Sequence, residues 1–102
     1  MNKFDEREKS FEKKFVREEE LQFKISARRN KYLGQWVSVE LGYNSEQEKE
    51  YIQTVIKADF QEAGDEDVFR KIKKDLKDKN ITDGDIRKKM KELNEKAKSD
   101  FI

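Results

Sequence analysis

Large apolar residues recur at helical spacing along the chain and form one narrow stripe per segment. Leu, Ile, Val and Phe supply only 24 of 102 residues, slightly above the level of about 20% below which disorder is the default. At about 100° per residue, Phe4, Phe11, Phe15, Ile25, Tyr32, Leu33 and Trp36 fall within roughly one third of a helical wheel. This makes one helical pattern from the N-terminus to about Leu41, with Gly42 as its stop. Glu18 and Gln22 interrupt the stripe. Its second half, joined by Val37, Val39 and Leu41, is a core face, whereas its first half is a line of phenylalanines among charges.

Three more helices follow. Ser45 and Glu48 have the spacing of a capping box, ahead of an apolar face of Tyr51, Ile52, Val55, Ile56 and Phe60 that ends at Gly64. Asp65 is placed to cap a third helix, whose apolar positions are Val68, Phe69, Ile72 and Leu76. Glu66 and Asp67 suit its N-terminal end, and Lys73, Lys74 and Lys77 its C-terminal end. Thr82 caps a fourth, with Ile81 and Ile86 spaced as a hydrophobic staple and Met90, Leu93 and Ala97 extending the face. Short connections favour antiparallel neighbours. The expected fold is all-α, a small four-helix bundle with a long first helix. Residues 1–20 form a segment that is mobile when free, and residues 21–102 form the bundle.

Charge is heavy but nearly balanced, 24 basic against 23 acidic side chains. Residues 24–39 carry four basic and no acidic groups, residues 40–69 two and nine, and residues 70–98 twelve and six. Such blocks suit helices that attract across a bundle, and the net charge of +1 is too small to indicate nucleic-acid binding. With no cysteine and no histidine, disulfides, thiolate nucleophiles, imidazole bases and the usual zinc ligands are excluded. No apolar run approaches the roughly 18 residues of a membrane span, so a cytoplasmic protein is expected.

Chemical motifs are few. In "KNITDGDIRKKM", Gly84 at position 6 of a calcium loop would place Lys79, Ile81 and Met90 at ligand positions 1, 3 and 12. None suits calcium, and no metal site is expected. "AGDED" repels phosphate. The one phosphate-friendly stretch is "ARRNK", with Arg28, Arg29 and Lys31 as possible ligand-binding residues. Arg29 lies near the centre of the apolar stripe, where an ion pair with an acid within residues 65–67 competes with a ligand role. No catalytic centre is visible, and the chain reads as a non-enzyme without cofactor.

Four stretches, "FDEREKSFEKKFVREEELQFK", "ARRNKYLGQWVSVELG", "ADFQEAGDEDVFRKIKKDL" and "IRKKMKEL", resemble the zeta subunit of alphaproteobacterial F-type ATP synthases across nearly the whole chain. Tyr32, Val37 and the abundance of lysine depart mildly from that pattern. The resemblance implies a bundle whose mobile N-terminal segment becomes helical as it wedges between the catalytic subunits, beside the central rotor, and blocks ATP hydrolysis. It implies attachment to the inner membrane only through the synthase, and a monomer when free. Phe4, Phe11 and Phe15 lie within about 40° on a helix and suit one groove. With Asp5, Arg7, Glu8 and Lys14 they form the expected partner-binding set, while Val16 and Phe23 point elsewhere. Two alternatives stay open. In one, all four phenylalanines belong to the bundle's own core; in the other, the chain is a small helical module that binds a nucleotide or other phosphorylated ligand through Arg28, Arg29 and nearby lysines.

Overall fold

The computed structural model describes the backbone of residues 3–61 and 64–102 and the side chains of residues 18–61 and 64–102. Four helices follow in order: α1 (Lys3–Leu41), α2 (Ser45–Ala58), α3 (Glu66–Asp75) and α4 (Asp83–Ser99). No strand occurs among the described residues. α1 lies chiefly against α2 and α4, and α3 closes the bundle against both of these. The partner-binding set Phe4, Asp5, Arg7, Glu8, Phe11, Lys14 and Phe15 lies outside the described side chains, and the mobility expected of residues 1–20 falls largely with it.

The core gathers Leu33 and Val37 of α1, Tyr51 and Val55 of α2, Val68, Phe69, Ile72 and Leu76 from α3 and its end, and Ile86 and Met90 of α4. Trp36, Leu41, Ile81 and Leu93 pack half-buried against it. Trp36 is thus an edge of the core, whereas Phe69 lies inside it. Val39 is a correction: it is 75% exposed, because at 100° per residue it sits about 140° from the centre of the face holding Leu33 and Val37. α1 then stops in a Schellman turn. Gly42 adopts φ +69°, its N–H donates to the Val39 carbonyl, and the Tyr43 N–H donates to the Ser38 carbonyl.

Gly34 sets the distance between α1 and α2. A Cβ there would lie 2.6 Å from Ile52 Cγ1 and 3.0 Å from Ile52 Cα. Only hydrogen fits without moving a helix.

The helix ends follow the sequence logic with three departures. α2 is capped by Asn44 rather than Ser45: Asn44 Oδ1 accepts from the Gln47 N–H, and Gln47 Oε1 accepts from the Asn44 N–H, both at 2.9 Å. Asn is as good a cap as Ser, so the box moves back one residue. α2 also ends at Ala58, well before Gly64, which takes φ +90° in the connection to α3. Phe60 therefore leaves the α2 face and is 66% exposed. Asp65 precedes α3 but makes no side-chain cap bond; its carboxylate is taken by Arg29. Thr82 caps α4 as expected, in a box with Asp85.

Candidate functional site

The stretch Arg28–Lys31 divides between two environments. Arg29 is 3% exposed and points into the junction of α1 with the α2–α3 connection. Its Nη1 donates to Asp65 Oδ1 at 2.6 Å, its Nη2 lies 3.3 Å from Asp59 Oδ1, and Nε and Nη2 both donate to Asn30 Oδ1. Asn30 Nδ2 in turn donates to Asp59 Oδ2 at 3.0 Å. A buried guanidinium needs both charge compensation and filled donors, and this network supplies them. Arg29 therefore ties three segments together and faces away from solvent.

Arg28 and Lys31 open instead onto an apolar cavity of about 620 Å³ between α1 and α2. Phe23, Ile52, Ile56 and Phe101 line it, and Lys24 and Lys49 join the two cations at its rim. Arg28 Nη1 lies 3.4 Å from Asp100 Oδ2, and its guanidinium sits 5.2 Å from the Phe101 ring centre. The Tyr32 hydroxyl also donates to Asp100. These bonds fasten the C-terminal end of α4 to α1 and make Phe101 one wall of the cavity. Lys24 and Lys49 carried no sequence signal. Lys49 arrives from α2, and only helix packing places it here.

On the opposite side, Arg87 and Glu66 form a two-pronged pair, 3.0 and 3.1 Å, with the guanidinium 3.8 Å from the Phe69 ring centre. Hydrogen bonding to Arg87 holds the Glu66 carboxyl below its ordinary range. Tyr51 donates to Asp75 Oδ2 at 2.6 Å, and burial first, then this bond, pushes its phenol well above the ordinary tyrosine value. Both contacts join neighbouring helices. Neither forms a reactive centre with a nucleophile and base in reach of one another.

The N-terminal part of α1 completes the site. Ile25 is the first buried residue among those described, and Glu18, Glu19, Glu20, Gln22, Phe23 and Lys24 are exposed. The α1 backbone nevertheless begins at Lys3, so its 22 residues before Ile25 span about 33 Å of helix axis. No helix among the described residues is long and apolar enough to cross a membrane.

A family model described as ATPase inhibitor subunit zeta matches residues 1–100. A protein known from a solution NMR structure is 44% identical, with a TM-score of 0.71, over 78% of this chain and 92% of that one. No curated protein matches.

Proposed function

The chain belongs to the ATPase inhibitor subunit zeta family, and on that premise we propose that it is a regulatory subunit with no catalysis of its own, and how it inhibits. Residues 1–20 insert between catalytic subunits of the head of an F-type ATP synthase, beside the central rotor, and block ATP hydrolysis. The bundle of residues 21–102 is the scaffold that carries this arm. The observation that supports the reading most is that α1 extends back to Lys3 while Ile25 is the first buried residue among those described. A bundle of residues 21–102 gains little from a helix that runs on to Lys3 through a sequence of mixed charge unless another surface receives it.

Helical register supplies the binding face. Phe4, Phe11 and Phe15 continue the angular range that holds Ile25, Arg29 and Leu33 inside the bundle. The face that packs on α2 and α4 at one end is thus offered to a partner at the other. Amphipathic helices dock in this way, with a few large anchors in a groove and charged residues at the rim. Asp5, Arg7, Glu8 and Lys14 are the rim contacts. The chain reaches the membrane only through the synthase.

The test is ATP hydrolysis by the cognate catalytic head with increasing amounts of the full chain. Dose-dependent loss of hydrolysis at about one chain per head supports the reading. Unchanged hydrolysis with saturating, folded protein contradicts it.

A further inference from the structure

The apolar cavity beside Arg28 is one end of a longer groove. A second cavity of about 390 Å³ shares Phe23, Ala27 and Ile56 with it and continues to Phe60. Phe23 and Phe60 are 60% and 66% exposed, and their rings meet at 5.9 Å between centres. A contiguous apolar patch with a polar rim marks an interaction site. On the α1 side the groove runs from Glu19 to Lys31, about 18 Å along the axis. That length matches three turns of a helix and exceeds a single small ligand.

The ends differ in charge. Lys24, Arg28, Lys31 and Lys49 line one end without a carboxylate in the wall, and among the described residues only Arg28 of the four has an acidic partner, Asp100. At the other end stand Glu19 and Asp59, and Asp59 is already engaged by Arg29 and Asn30. With Asp59 engaged, Glu19 alone offsets the four cations, so the groove is net positive and complements an acidic partner better than a second copy of itself.

We infer that the groove receives an amphipathic helix of the catalytic head, its apolar stripe on Phe23 and Phe60 and its acidic side chains on the four-cation end. This rests on the proposed inhibition by the N-terminal arm. The groove begins at Glu19, about one helical turn beyond Phe15, so the protein that grips the arm lies beside it. The second contact holds the bundle to the head while the arm inserts.

The test uses the full chain carrying Phe23→Ser and Phe60→Ser in the hydrolysis assay. Both rings face solvent, so the melting temperature should stay near that of the parent. The midpoint of inhibition should rise roughly 30-fold or more, as for loss of an interface hot spot, while saturating protein still inhibits fully because the arm is intact. Lys24→Glu with Lys49→Glu should slow association and flatten its salt dependence. A photo-crosslinker at position 60 should label an acidic helical segment of the head. If the parent chain inhibits and the variants share its midpoint, the groove inference fails alone. A crosslink only to a second copy of this chain overturns it, as does ATP or ADP that binds specifically across Arg28, Lys31 and Lys49 and leaves inhibition unchanged. If the parent chain does not inhibit at all, the functional reading fails, and the groove inference with it.

Discussion

Replacing Arg29 by alanine isolates the network that joins α1 to the α2–α3 connection. Asn30, 1% exposed, loses both donors to its Oδ1, and an orphaned buried acceptor costs about 1–3 kcal/mol. Asp59, with a side chain 18% exposed, loses its cation but keeps the Asn30 bond, a further 1 kcal/mol or so. Asp65 is 61% exposed and resolvates, so its share is small, about 0–1 kcal/mol. Together these give about 3 kcal/mol, the lower end of the range for breaking a buried ion pair. For a domain of this size that lowers the melting temperature by roughly 12–24 °C. Urea unfolding of Arg29→Ala, Asp59→Ala and Asp65→Ala should rank them in that order, the last near 1 kcal/mol. A loss below about 1 kcal/mol for Arg29→Ala would refute the burial argument. So would equal losses for the two aspartates.

Gly34→Ala should destabilise by about 1–3 kcal/mol in thermal unfolding despite alanine's better helix propensity, because Ile52 must move. Tyr51 stays protonated in the folded protein to a pH above its unfolded value of 10. The folded state then binds more protons, and its stability falls as pH rises above about 10, by up to about 1.4 kcal/mol per unit. Tyr51→Phe should remove that part of the slope in urea titrations at pH 9 to 11. Phe69→Ala should cost about 3–5 kcal/mol and more than Trp36→Ala, measured by the same unfolding, because Phe69 is 6% exposed and Trp36 only edges the core.

The apolar faces of α2, α3 and α4 were legible because packing follows helical period: Tyr51, Ile52 and Val55, then Val68, Phe69 and Ile72, then Ile86 and Met90 are buried. The cap of α2 was ambiguous by one residue, since Asn44 with Gln47 and Ser45 with Glu48 both satisfy the same local rule. The early end of α2 was not legible. Asp59 engages Arg29 and Asn30 across about thirty residues, and no short-range pattern reports such a partner. The position of Arg29 on the apolar stripe did point to a buried ion pair with residues 65–67, and Asp65 is there. The groove was invisible in the sequence because its cations come from α1 and α2 and its exposed rings are 37 residues apart. Such a surface exists only after the helices pack.

Inhibition by Phe11→Ala with Phe15→Ala, set beside thermal unfolding of the same protein, separates arm from scaffold most directly. If the two rings are anchors buried only against the catalytic head, the midpoint of ATP hydrolysis inhibition should rise more than about a hundredfold, at about 2 kcal/mol or more for each ring. The melting temperature should stay within a few degrees of the parent chain. Full inhibition at the parent's midpoint would contradict the anchoring role, and a collapsed melting temperature would place both rings in the bundle's own core.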